Sequence, residues 1–348
     1  MRIAVYTSFL SMALAFAATP VAPIRPDPHE LATAGVQSVT TPAERTAALS
    51  LLERARQNSD MFIQGTPPFE LTVSFNSGGN VTFTGPGEST DTWVSGRNWR
   101  WTASLGSYSQ TRTGAGRAVY DDKPVSQVPM RYQMLRGAIF APIRMSTSGA
   151  AIRSVAVESN GRPATCLLLA RAGLPPSTAR AWEETEYCID NASGLLDIYS
   201  EAPGVYVLYG YGQNLQFHGR VVPDHIAIYS GGSEALSAQL TIKDSSVDAA
   251  QLAPTEQMLA SGPGMAMMYA MRFPMNVPSQ VNSSVIQPVI VHATLDQTGR
   301  ALEEEVTMAS DPELAQAAMD AVKNGAFSQT GSPQRDVYIN VRFVPASQ

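Results

Sequence analysis

The residues able to do chemistry are few and scattered. The chain has two cysteines, Cys166 and Cys188, and four histidines, His29, His218, His225 and His292. An isolated cysteine pair in an oxidising compartment forms a disulfide, whereas redox pairs sit at C-x-x-C spacing and two thiols alone do not make a metal site. The flanks Pro163–Ala170 and Glu184–Asp190 read as strands, so the spacing predicts a structural bridge. On the chain-entropy model, closing a loop of about 22 residues contributes roughly 3 kcal/mol. His218 and His225 stand seven apart, a spacing that no zinc motif uses. His292 falls at an outward position of an alternating strand, where a solvated ring is expected, and Glu303-Glu304-Glu305 reads as a solvated charge run. No nucleophile elbow, H-E-x-x-H, Walker loop or dinucleotide fingerprint is present. The sequence therefore predicts no enzyme and no cofactor.

Two chemical alternatives stay open. Acids alone can catalyse hydrolysis without a motif, so an enzyme with an unrecognised carboxylate site is one. The other is copper, because Met258, Met265, Met267, Met268, Met271 and Met275 cluster in one segment and soft thioethers suit Cu(I). Methionine also fills irregular packing surfaces, and no His or Cys lies in that run.

The elements that would position these groups are mostly strands. The chain is 348 residues long, 44% hydrophobic and 16% charged, an ordinary globular balance with room for two domains. Its net charge of -6 argues against nucleic acid, which needs a basic surface. At the N-terminus, Arg2, an apolar run from Ile3 to Phe16 and the small-residue pattern Ala15-Phe16-Ala17 read as a signal peptide (1–18) cleaved near Ala17. The expectation is an exported, periplasmic protein. A flexible leader (19–40) follows. Thr41, Pro42 and Glu44 then announce a helix with a capping box, and Ala48, Leu51, Leu52 and Ala55 give it one apolar stripe.

Period-two alternation takes over at Phe69, Leu71, Val73 and Phe75. A dozen short strands follow, with a second helix over Val128–Ala138. The run Tyr187-Cys188-Ile189-Asp190, then Ser193-Gly194-Leu195-Leu196, turns one hairpin strand tightly into the next. This meander over 41–246 resembles the incomplete barrel of LolA-like periplasmic lipoprotein and lipid carriers. The resemblance implies a curved antiparallel sheet with two helices and a lipid or lipoprotein ligand. A sandwich or barrel without ligand fits the same pattern.

A Pro- and Met-rich connector (247–284) should lead to a last domain (285–348). There Val289, Val291, Ala293 and Leu295 alternate, Asp296-Gln297-Thr298-Gly299 turns, and Ala301–Met308 forms a second strand. Ser310 is expected to cap a helix with Glu313 closing a box, and Leu314, Ala317, Ala318, Ala321 and Val322 make its stripe. A final strand carries Val337, Ile339, Val341 and Phe343 inward. On the run Val291–Arg300, the Ala-rich helix, Phe327 and Val337–Phe343, this segment resembles the TonB C-terminal domain. The stretch Lys323-Asn324-Gly325-Ala326-Phe327-Ser328 keeps the family's aromatic residue but not the proline after it. What the resemblance implies is an interaction domain of order ββαβ, binding an envelope protein or a second copy of itself, and not an energy transducer. The terminal strand Val337, Tyr338, Ile339, Asn340, Val341, Arg342 and Phe343 would offer its edge to the partner. The fold class is thus α+β: a half-barrel with two helices, then a small ββαβ domain.

Overall fold

The structure is a computed structural model that describes residues 27–61, 65–124, 127–143, 147–171, 177–213, 215–262, 271–279, 287–328 and 334–345. The expected signal peptide lies outside the described residues. After a short strand β1 (Gln37–Ser38) comes helix α1 (Pro42–Ser59). A meander follows, made of β2 (Phe69–Ser77), β3 (Gly85–Ser95), β4 (Asn98–Leu105), β5 (Tyr108–Ala115) and β6 (Ala118–Asp121). Helix α2 (Met130–Phe140) separates it from β7 (Ala151–Ser159), β8 (Arg162–Ala170), β9 (Thr185–Asp190), β10 (Leu196–Ser200) and β11 (Val205–Gly210). The hairpin β12 (Leu215–Phe217) and β13 (Arg220–Val222) forms a sheet of its own. Strands β14 (His225–Ser230), β15 (Ser233–Asp244) and β16 (Leu259–Gly262) complete the large sheet. The last part holds β17 (Met271–Ser279), β18 (Gln287–Asp296), β19 (Ala301–Ala309), a 3₁₀ turn (Pro312–Leu314), α3 (Ala315–Lys323) and β20 (Gln334–Pro345).

The protein is mostly β. Fourteen strands pair in the order β1-β7-β8-β9-β10-β11-β14-β15-β2-β3-β4-β5-β6-β16, an antiparallel sheet that does not close into a barrel. Its helical face is filled by α1 and α2. Helix α1 starts as its sequence reads: Thr41 accepts from the Glu44 amide, and the Glu44 carboxylate accepts from the Thr41 amide. Ala48, Leu52 and Ala55 turn inward to meet Phe69, Leu71, Val73, Leu167 and Ile189 in one apolar core. Helix α2 is different in kind. Every residue but Met134 is buried, which marks a helix enclosed on all sides and not one lying on a surface.

Strands β8 and β9 are buried on both faces. Leu167 and Leu169 point to the helical side, whereas Cys166 and Leu168 point away, because side chains alternate across a strand. The leader corrects the sequence reading here. Residues 27–40 are not a free arm: Ala32 and Val36 are buried over Cys166, Cys188, Ile198 and Tyr206, and β1 pairs with β7. Backbone bonds from Val36 to Thr178 and from Arg180 to Ala32 hold the segment down.

The connector is corrected as well. Its residues supply β16 to the edge of the large sheet and β17 to a second sheet of order β17-β20-β18-β19. The C-terminal order is therefore βββαβ, with β17 parallel to β20. Pro274 and Pro278 conceal β17 from a propensity reading, because proline is confined to edge strands, and β17 is an edge. The same topology overturns the expected partner-binding edge. Val337–Phe343 lie in β20, which pairs with β17 on one side and β18 on the other. Its backbone groups are already committed. The helix signal at Ser310 also shifts by one residue: Asp311 accepts from Glu313 N and opens the 3₁₀ turn, while Ser310 Oγ donates to the Pro288 carbonyl.

Candidate functional site

The polar groups that stand out are those buried around α2. On β3 the inward positions run Ser89, Asp91, Trp93, so an acid occupies a core position. Its partner comes from α2: Arg136 donates from Nη1 and Nη2 to the two Asp91 oxygens, each at 2.9 Å, and from Nη1 to Tyr132 Oη at 3.1 Å. The guanidinium lies over aromatic rings, 4.6 Å from the Phe140 centroid and 5.0 Å from that of Trp101. Burial raises the Asp91 carboxyl above its ordinary value, with the Arg136 charge opposing the rise.

Two small spaces flank α2. One, of about 10 Å³, is walled by Phe69, Trp93, Trp99, Phe140 and the Asp91–Arg136 pair. The other, also about 10 Å³, is walled by Met61, Leu71, Ile139, Tyr209, Val222 and Leu240, beneath the β12–β13 hairpin. Each has room for about one water. Ligand pockets run to hundreds of Å³. In this conformation the helical face of the sheet is occupied by α2 itself.

The disulfide stands where its sequence placed it. Cys166 and Cys188 are direct cross-strand partners on β8 and β9 and are bonded to each other. With Glu186 they form the one group of three potential metal ligands found among the described residues, but both sulfurs are spent in the bond. Beside them Arg180 pairs with Glu186, and Arg153 with Glu184, all four side chains being almost wholly buried.

For the carboxylate alternative, several buried acids sit in such pairs, while Asp27, Asp224 and Glu303 are buried and accept from backbone amides. Asp121 is held by Arg112, and Asp190 and Asp197 both by Arg162. For copper, Met265, Met267 and Met268 lie outside the described residues, Met275 packs against the C-terminal core, and Met271 lies beside Arg335. Among the histidines, His29 packs on Tyr229, His218 meets Asp244, and His225 meets Gln239.

His292 and the glutamate run are where the sequence reading fails. His292 is fully buried, stacked on Tyr338 with centroids 4.7 Å apart. Glu303 is buried and accepts from the Thr82 amide. Glu305 accepts from Arg131 of α2 at 2.5 Å and from Ser230 Oγ at 2.9 Å. Register places Glu305 opposite His292, and Glu303 opposite Thr294, on the sheet face turned away from α3. That face lies against the large sheet. Alternation says which residues share a face, but not that a second module will cover it.

No family model matches the chain, and no curated protein matches it. Among solved structures, the crystal structure of a LolA superfamily protein from Nitrosomonas europaea is similar over 60% of this chain and 97% of that one. The identity is 12% and the TM-score 0.39. No helix among the described residues is long and apolar enough to cross a membrane.

Proposed function

We propose that this chain is a non-enzymatic binding protein of an oxidising extracytoplasmic compartment, the periplasm, which takes an apolar chain of a lipid or lipid-modified protein against the helical face of its large sheet. The observation that carries the reading is the pocket beside Ile139. Met61, Leu71, Ala138, Val222 and Leu240 give it an apolar wall, and the Tyr209 and Tyr211 hydroxyls are turned to the backbone carbonyls of Ala138 and Leu196. Three separate pieces meet there: the end of α1, the C-terminal end of α2 and the β12–β13 hairpin. Such a junction widens by moving α2 or the hairpin without unpairing the large sheet. The disulfide supports the compartment.

The test is saturable binding of a fluorescent long-chain fatty acid to the full chain. Wild type should bind, and Ala138→Trp, which fills the pocket from α2, should bind at least tenfold more weakly. Absence of saturable binding by a folded wild-type protein sinks the reading.

A further inference from the structure

We propose that the C-terminal four-stranded sheet is a latch on α2, so that its undocking releases the helix that fills the large sheet. The latch is an internal contact between the two modules. Arg131, in the first turn of α2, has no exposed surface, and its charge is met by Glu305 of β19. Just before the helix, the Val128 amide donates to Gln334 Oε1 of β20 at 2.6 Å. That bond matters because α2 has no side-chain cap of its own, and Gln133 closes the same corner by donating to the Val128 carbonyl. Met134, the one α2 residue that is not fully buried, bridges the main core and the small cluster formed with Ile290, Tyr338 and Met308 of the C-terminal sheet. The far end of α2 is tied instead to the large sheet, through Arg136 and Asp91. The helix is therefore pinned at both ends by different modules.

The surface between the modules is built to part. Each module closes an apolar core of its own, and the cluster shared between them is small. Around that cluster the contact is polar and incompletely paired. His292 Nδ1, Asn340 Oδ1, Arg131 Nε and Arg272 Nε are buried without a hydrogen-bond partner, and His292 Nε2 has only an Asp336 oxygen 3.6 Å away, beyond hydrogen-bond distance. Polar groups that lose water and gain nothing oppose the docked state, and separation rehydrates them. Separation also leaves Arg131 without Glu305 and the start of α2 without Gln334. A helix buried on all sides then loses one wall and one anchor, and the space it fills becomes available.

The latch itself stands on these contacts; only its consequence for ligand uptake rests on the binding function proposed above. Two measurements separate the two. Hydrogen exchange on the full chain should show residues 130–140 exchanging at least tenfold faster in Glu305→Gln, and in Gln334→Ala, than in wild type, with β8 and β9 unchanged. Two variants are used so that misfolding of one leaves the other to decide. Unchanged exchange in α2 in a folded variant overturns the latch. Both native cysteines are bonded, so Thr82→Cys with Glu303→Cys adds a clean pair for a short cleavable cross-linker across the junction. The linked protein should bind the fatty-acid probe at least tenfold more weakly than after the linker is cleaved. Equal affinity in both states overturns the coupling. Binding in neither state, together with accelerated α2 exchange, sinks the ligand reading and leaves the latch standing.

Discussion

Arg136 and Asp91 face each other through two parallel hydrogen bonds of 2.9 Å, one partner on α2 and the other on β3, with aromatic rings on the surrounding walls. The pair fixes how α2 sits in the sheet. Removing one partner strands the other charge in an apolar setting. Asp91→Ala should therefore cost about 3–5 kcal/mol, read as a lower urea midpoint. The double change Asp91→Leu with Arg136→Met should cost less than Asp91→Ala alone. A double variant as damaged as the single one would show that the pair stabilises in its own right.

The cross-strand disulfide leads to a simpler expectation. Replacing both cysteines by alanine should lower stability by roughly 3 kcal/mol, because a loop of 22 positions is released in the unfolded chain. Thiol titration of the denatured, unreduced protein should find no free thiol. Unfolding with and without reductant checks the magnitude.

Because β20 is interior, Asn340→Pro should unfold the C-terminal sheet. Asn340 stands opposite Pro274 on one side and Ile290 on the other. A proline there removes a ladder donor in the middle of the sheet. Loss of near-ultraviolet circular dichroism, or of soluble protein, is the expected outcome. A folded variant would mean that β17 does not pair as described.

The free side of β17 gives the opposite expectation. Pro274 and Pro278 stand four apart on an edge strand, so they withhold two amides from any strand that would add there. Pro274→Ala with Pro278→Ala should keep the fold and raise self-association, measured by light scattering across a concentration series. A strictly monomeric double variant would show that the prolines do not guard this edge.

Gly204 tests the junction between modules. Its backbone is left-handed, with φ of +81°, and an added Cβ would fall 1.9 Å from the Thr307 carbonyl oxygen. Gly204→Ala should cost at least about 1–2 kcal/mol from the backbone alone. Since Thr307 also donates to the Pro203 carbonyl, the C-terminal sheet should be pushed off its seat. Faster exchange in β19 than in β2 would report this.

The capping box at Thr41 and the pairing of Cys166 with Cys188 were legible in the sequence because each depends on near neighbours or on chain-wide chemistry. The strand Met271–Ser279 was not, since two prolines argue against a strand unless its position at an edge is already known. Period two alone places His292, Glu303 and Glu305 on a solvent face, for a related reason. Their shared face could be read from period two, but the module that covers it is formed by residues far away in sequence. Of the candidate site, the sequence showed α2 as a helix. That its two arginines are neutralised by different modules is a property of the tertiary arrangement alone.

The place of β2 beside β15 has a kinetic consequence. Every other antiparallel junction from β2 to β6 is formed with the next strand along the chain, and so are most of those from β7 to β15. Such hairpins close quickly because their loops are short. The seam that joins the two meanders instead matches Ser77 with Leu236 and Phe69 with Asp244, so it must wait until most of the chain is present. Loop-closure entropy at this seam, together with the long-range pairings of β1 with β7 and of β6 with β16, should set the rate of folding. A chain emerging from its N-terminus would hold β2 as an exposed apolar strand, bearing Phe69, Leu71, Val73 and Phe75, until β15 arrives to cover its side.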